Sequence, residues 1–399
     1  MYMSAMARER IGASEIGEII SLAVKYGAMS FGAGEPSEDM FPKDEMSEAF
    51  TRVLGENGDI WGYHHDEFGL MTLREWITER MKRDGMAPDW VRPENVIITN
   101  GGGEAMNLVA EALIDPGSVV LVESPTYTES LLTFRKQGAV CVPVPSDDDG
   151  LIPEELERLA ASRKARFLYT IPNFQNPSGR TTPETRRIEI LEILRSRGIA
   201  LVEDDPYHYL SYDGEPPAGY LRLAGDDKRV IHCNSFSKTI APGLRCGWAV
   251  IPPALTEAIS CLRICAGLGR PLLIQRGIMN YLDGMDFPKR ISALRDEYRK
   301  RRGAMLEAAA RYLAPLGVKT NRPGGGFFIW AEAMPGINTR EFARFAIREE
   351  HIAIIPGTAF YPEGEKDGFR SFRLSYSKVP ADSIDEGMRR LARAFNAYV

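Results

Sequence analysis

The chain has 399 residues, 44% hydrophobic and 26% charged, with a formal net charge of −6. This is an ordinary globular composition, long enough for two or three domains and a core that needs no staples. The mild acidity gives no footprint for nucleic acid or an anionic membrane; no run nears the ~18 apolar residues of a membrane helix, and the opening MYMSAMARERIG lacks the apolar stretch of a secretory signal.

The first forty residues read as one short helix, 14–26, and a Gly/Pro-rich loop at 32–36. From about residue 95 the pattern alternates. Short β-branched runs read as seven strands at 96–99, 119–123, 140–144, 167–171, 199–203, 230–233 and 248–251. Helix-period segments at 104–114, 153–163 and 183–197 lie between several of them. Such alternation argues for a mostly parallel sheet with helices on both faces. After Asp286 the character changes. A charged amphipathic segment, 288–313, precedes short strands at 327–331, 353–355 and 371–376 and helices at 339–350 and 381–398. That reads as a smaller α+β domain.

The five cysteines are Cys141, Cys233, Cys246, Cys261 and Cys265. An odd count without Cys-x-x-Cys argues against a disulfide framework or a zinc ribbon. They read as buried thiols in a reduced compartment, and a cytoplasmic location is expected.

In open α/β sheets, ligands bind beyond the carboxyl ends of the strands. The residues after five of these strands are polar and suited to one ligand. Gly101–Gly103 opens a helix, where free N–H groups and the helix dipole favour a phosphate. Read alone, that run is a plain tight turn. It is not G-x-G-x-x-G and no Walker lysine follows, so nicotinamide and ATP lose support. The segment SFSKTIAPGLRCGW, 235–248, places Lys238 between hydroxyl residues just past a strand. A desolvated lysine there becomes a nucleophile toward a carbonyl. Ser235, Ser237 and Arg245 suit a phosphate beside it. Asp204 follows a strand of buried character and needs a cationic partner; a protonated pyridine nitrogen is one. Asp205 reads as a helix cap or, with His208, as half of a metal pair. Only five His are present and no second ligand motif appears, so no metal is expected. Asn176 and Tyr207 suit a phenolic oxygen, and Tyr127 suits an aromatic ring.

Together these residues resemble fold-type-I pyridoxal-phosphate enzymes of the aminotransferase class I/II superfamily, above all its kynurenine/α-aminoadipate subgroup. The likeness runs from the 32–42 loop to Arg373 in FRLSYS. Its specific elements are SFSK…PGLR…GW and NPSG. It implies an N-terminal arm at 1–38 that belongs with the small domain, a large cofactor domain at 39–285 and a small α+β domain at 286–399. It implies that Lys238 carries pyridoxal phosphate as an aldimine and that Asp204 pairs with its ring nitrogen. Tyr207 and Asn176 would bond the 3-hydroxyl, and Tyr127 would cover the ring. Ser235, Ser237, Arg245 and the N–H groups of Gly102 and Gly103 would hold the phosphate. Arg373, with Asn176, would clamp the substrate carboxylate. Gly34 would line the substrate pocket along with 323–328 and 356–360, whose aromatic residues suit apolar side chains.

The implied activity is transfer of an amino group from an L-amino acid to a 2-oxo acid by a ping-pong cycle, an EC 2.6.1 reaction. A lyase on the same scaffold is the first rival. A non-catalytic sensor, as in winged-helix regulators that carry this domain, is the second. A homodimer is implied, with a partner tyrosine at the phosphate; a one-residue insertion makes this Tyr63, and an ungapped count lands on His64. Two further departures stand out. Gly102-Gly103 replaces a hydroxyl and an amide residue, and Gly17 replaces an arginine that helps read acidic side chains.

Overall fold

The computed structural model describes residues 2–4, 6–10, 14–56, 58, 60–63, 65–267, 271–362 and 368–398. In chain order they form α1 (Glu15–Lys25), β1 (Met29–Ser30), α2 (Lys43–Gly55), α3 (Met71–Arg83), β2 (Val96–Thr99), α4 (Gly102–Leu113), β3 (Val119–Ser124), α5 (Thr128–Lys136), β4 (Val140–Asp147) and β5 (Gly150–Leu151). Then come α6 (Pro153–Ser162), β6 (Ala165–Thr170), α7 (Glu184–Arg197), β7 (Ala200–Asp204), α8 (Tyr220–Ala224), β8 (Val230–Ser235) and β9 (Gly247–Val250). The rest is α9 (Thr256–Ala266), α10 (Leu272–Asp283), α11 (Phe287–Tyr312), β10 (Lys319–Thr320), β11 (Phe328–Glu332), α12 (Thr339–Glu350), β12 (Ile352–Ala353), β13 (Ile355–Pro356), β14 (Ser371–Ser375) and α13 (Ala381–Tyr398).

One sheet has the order β2-β9-β8-β7-β6-β3-β4-β5. Strands β8, β7, β6, β3 and β4 are mutually parallel. Strand β9 runs antiparallel to both neighbours, and β5 runs antiparallel to β4. The protein is thus α/β with a mostly parallel sheet flanked by helices, plus a smaller sheet. The central strands are buried on both faces, as a sheet covered on both sides requires. The eighth strand, β5, was not expected. It is two residues long, turned back through Gly150 at φ +93°, and too short to carry a period.

The second sheet has the order β10-β11-β14-β13, all antiparallel. The expected strand at 353–355 is two strands in different sheets, broken at Ile354. Strand β12 leaves to pair in parallel with β1, which fastens the arm to the C-terminal part of the chain. Ser14 caps α1, accepting from the Gly17 N–H at 3.2 Å, and Asp286 caps α11, accepting from Lys289 at 3.0 Å. Helix α13 buries Ile384, Met388, Leu391 and Phe395 along one stripe. The reading of five buried thiols is corrected in part. Cys233 and Cys246 are buried and Cys141 is half-buried, but Cys261 and Cys265 are exposed, because α9 turns Ile259 and Arg263 inward instead. Among the described residues no helix is long and apolar enough to cross a membrane.

Strand β9 passes close to the start of α4. A Cβ on Gly247 would stand 2.8 Å from both the Asn234 carbonyl oxygen and the Gly101 carbonyl carbon. Both neighbours are backbone and cannot rotate away. Gly247→Ala is therefore expected to destabilise the fold by about 1–3 kcal/mol, read as a lower urea midpoint at unchanged slope.

Candidate active site

The carboxyl ends of β3, β6, β7 and β8, with the start of α4, surround one cavity of about 530 Å³. Gly102 and Gly103 form part of its wall, and nothing lies within 4 Å of where a Cβ would stand on either. They begin α4, so their amide N–H groups have no partner within the helix. Gly101 precedes them at φ +77°. Arg245 sits opposite in the left-handed region at φ 46°, with Nη2 donating to the Asn100 carbonyl at 3.1 Å. Ser235 and Ser237 stand on the same wall. Hydroxyls, a guanidinium and a helix N-terminus thus meet in one cradle, which suits a phosphate.

Lys238 follows β8, enclosed by protein apart from the cavity. Its Nζ donates to the Gly34 carbonyl at 2.9 Å and lies 5.7 and 5.9 Å from the ring centres of Phe327 and Tyr207. Burial pushes this amine down from 10.5 to about 8; Arg373 and Arg245 add to the fall, while Glu35 and Asp204 oppose it. Asp204 closes β7. Burial raises its carboxyl to about 6, against a lowering by a hydrogen bond from Tyr169. Tyr169 Oη donates to Asp204 Oδ2 at 2.8 Å, and Ser130 Oγ donates to Tyr169 Oη at 2.9 Å. Tyr127 is on the wall beside Ser130, and Tyr207 packs edge-on against Phe327 and Phe328 at 5.7 and 5.8 Å.

Arg373 reaches the cavity from β14, in the other sheet. Its guanidinium lies 4.3 and 4.8 Å from the ring centres of Phe328 and Phe360. Nη1 donates to Asn176 Oδ1 at 2.5 Å and Nη2 to the Gly32 carbonyl at 2.6 Å, while the buried Nε has no partner. Burial lowers this guanidinium to about 10, so it stays charged at neutral pH. Gly34 completes that end, where a Cβ would meet the Phe328 ring at 3.0 Å. The aromatic residues of the 323–328 and 356–360 loops stand behind the wall, packed on Tyr207 and Arg373.

Two expectations fall elsewhere. Tyr63 is 72% exposed and is not on the cavity wall, and His64 lies outside the described residues. Asp205 does not cap a helix. It is buried, accepts from Asn173 Nδ2 at 2.9 Å and meets His208 Nδ1 at 3.2 Å. Among the described residues no cluster of His, Cys, Asp and Glu suits a metal ion.

The sequence reading missed Tyr169, Ser130 and the buried Arg187. Arg187 donates to the Thr182, Pro172 and Ala218 carbonyls at 2.8, 3.0 and 3.1 Å and to Asn173 Oδ1 at 2.6 Å. It clamps the loop that carries Asn176. It also missed Ile16, Ile20, Glu35 and Glu129, all on the cavity wall. The i, i+4 spacing of Ile16 and Ile20 was the available signal.

Residues 27–391 match the family Aminotransferase class I and II. The chain is 37% identical to 2-aminoadipate transaminase of Thermus thermophilus over 393 residues, covering 98% of this chain and 96% of that one. It is 32% identical to aromatic-amino-acid aminotransferase 1 of Thermococcus litoralis, over 95% of this chain and 91% of that one. The structure of α-aminoadipate aminotransferase from Thermus thermophilus, complexed with N-(5'-phosphopyridoxyl)-L-leucine, aligns with a TM-score of 0.91. That alignment covers 100% of this chain and 98% of that one, at 35% identity. The chain therefore belongs to the aminotransferase class I and II family, as a transferase of amino groups that works with pyridoxal phosphate.

The residues present fit that cofactor. The cradle at Gly102, Gly103 and Arg245 suits its phosphate, and the depressed amine of Lys238 suits its aldehyde. Asp204, with no cation paired to it among the described residues, suits a protonated ring nitrogen. Two outcomes follow. Tyr169→Phe removes a donor from Asp204 and an acceptor from Ser130, so affinity for pyridoxal phosphate is expected to fall about tenfold in a titration of cofactor-free protein, and the melting temperature to fall with it. Lys238 has a folded pKa below its unfolded value, so the unfolded chain binds more protons between pH 8 and 10.5. Its burial therefore destabilises the fold below pH 8, and that cost fades as pH rises to 10.5. Cofactor-free Lys238→Met is expected to exceed wild type by up to about 2 kcal/mol at pH 7, with the gap closing toward pH 10.5 in denaturant titrations.

Proposed function

We propose that this enzyme moves the amino group of an L-amino acid to a 2-oxo acid in two half-reactions, with Lys238 as the residue that bonds the cofactor. The observation that carries the reading is one cavity that holds both a depressed amine, Lys238, and a buried guanidinium, Arg373, with an unpartnered Nε. Pyridoxal phosphate, when bound, supplies an electron sink that weakens the bonds at the α-carbon of an attached amino acid.

The chain's own groups do the rest. Ser235, Ser237, Arg245 and the amides of Gly102 and Gly103 hold the phosphate. Asp204 keeps the ring nitrogen protonated, and Tyr169 and Ser130 hold Asp204 in place. Tyr207 and Asn176 hydrogen-bond the ring oxygen, and Tyr127 covers the ring. Arg373 grips the α-carboxylate through its free Nε edge, while its Nη atoms stay fixed by Asn176 and Gly32. Lys238 Nζ, neutral above about pH 8, takes the α-proton and delivers it as general base and then acid.

We read the working form as a homodimer in the cytoplasm. The exposure of Trp61 at 81% and Tyr63 at 72% supports a covered face there, from which Tyr63 would reach the partner's phosphate cradle.

The test is an absorbance spectrum of the loaded enzyme before and after addition of pooled L-amino acids without oxo acid. Conversion of the visible cofactor band to the pyridoxamine form is expected. A persistent band with pyruvate and ammonia accumulating would move the reading to a lyase. Arg373→Ala is expected to raise KM for the amino acid by about 10–100-fold with a smaller change in kcat, measured in steady state. An unchanged KM would remove Arg373 from the carboxylate clamp.

A further inference from the structure

Once the cofactor cradle and Arg373 are assigned, part of the cavity wall is left for the substrate side chain. It consists of Ile16 and Ile20 on α1, Met106 on α4, Glu129 and Thr133 on α5, and Glu35 in the arm loop. The charges of this remainder are one-sided. The cations on the wall are Lys238, Arg245 and Arg373, and each already has a task. Helix α1 adds only apolar side chains. The two carboxylates differ in their surroundings. Glu35 is held by Lys378 at 3.1 Å. Glu129 has no cation within ion-pair distance among the described residues.

Glu129 stands in the first turn of α5, where a carboxylate offsets the helix dipole. That role needs no particular side-chain direction, yet this side chain forms part of the cavity wall. It also acts electrostatically on Tyr127, Tyr207 and Arg373, all groups of the site. The buried, unpartnered Nε of Arg373 fixes where an amino acid anchors. The wall left for the side chain offers two isoleucines and a carboxylate that shares a hydrogen bond with Tyr127 but has no cation paired to it among the described residues.

We propose, resting on the transamination reading, that the amino donor is an L-amino acid with an aliphatic side chain ending in a cation, an ω-amino or guanidino group. The stem lies on Ile16 and Ile20, and the charged end is received by Glu129. An acidic side chain meets like charge from Glu129, and among the described residues the cavity wall has no cation without a task to offset it.

The test uses loaded enzyme in single turnover with L-lysine, L-norleucine and L-2-aminoadipate, which share a chain length and differ in the terminal group. Lysine is expected to convert the cofactor at least about tenfold faster per unit concentration than norleucine, and 2-aminoadipate to be the slowest. In Glu129→Gln the lysine-to-norleucine ratio is expected to fall about tenfold and the 2-aminoadipate-to-norleucine ratio to rise. The proposal is overturned if norleucine or 2-aminoadipate equals lysine in the wild type, or if the ratios do not move in the variant. If none of the three converts the cofactor, the transamination reading falls by itself. Dissociation constants of the same three acids on the same loaded enzyme then decide the charge preference: lysine tightest sustains it, and lysine equal or weaker ends it.

Discussion

A carboxylate taken out of water is unfavourable by several kcal/mol unless donors or a cation offset the loss. Asp204 is that carboxylate here, and much of the sheet is arranged around it. Strands β6 and β7 run parallel, with Tyr169 opposite Val202. Val202 and Asp204 point to the same face, so Tyr169 reaches Asp204 diagonally across the ladder. Ser130, at the start of α5, then orients the phenol. These donors meet only part of the need, and the carboxyl stays near 6. A cation arriving at that spot completes the network. The cavity floor is thus a partly satisfied polar chain, preorganised and suited to a positively charged ring atom.

The cations of the cavity obey the same constraint and fasten the arm. Lys238 donates to the Gly34 carbonyl and Arg373 to the Gly32 carbonyl. Two cations from different sheets therefore hold one short loop between them. A substrate carboxylate at Arg373, or a change at Lys238, alters the bonds that position this loop. Just upstream, β1 pairs with β12, so the loop's path is set from the C-terminal half of the chain as well. This end of the cavity thus depends on contacts between residues 204 and 341 positions apart. It cannot form before both halves have folded.

Much of this was legible in the sequence for a simple reason. A parallel sheet puts the loop after every strand at one edge, so polar motifs after strands converge even when far apart in the chain. Lys238, Asp204, Asn176, Tyr127 and Arg245 fall on one cavity for that reason. What stayed hidden depended on register or side-chain direction. Tyr169 reads as one more apolar residue in ARFLYT until its neighbour strand is in place. Glu129 lies in a helix that the sequence pattern did not pick out, and its place appears only once that helix is set against the cavity wall. The division of 353–355 into β12 and β13 depends on two partners far away in sequence. Strand β5 and the outward face of α9 depend on a turn and a packing choice that residue spacing does not determine.

The same physics explains why one wall of the cavity is free to set specificity. Lys238 and Arg373 are both lowered, chiefly by burial, and Arg373 lowers Lys238 further through like charge. A further buried cation on α1 would add to that repulsion and to the desolvation it must overcome. Apolar Ile16 and Ile20 avoid both costs. Glu129 offsets part of the positive field without entering an ion pair with Arg373, which leaves the guanidinium edge free for a carboxylate. A wall of this kind stabilises the loaded site and at the same time decides which side-chain charge is tolerated. Specificity here is a consequence of keeping two buried cations in one cavity.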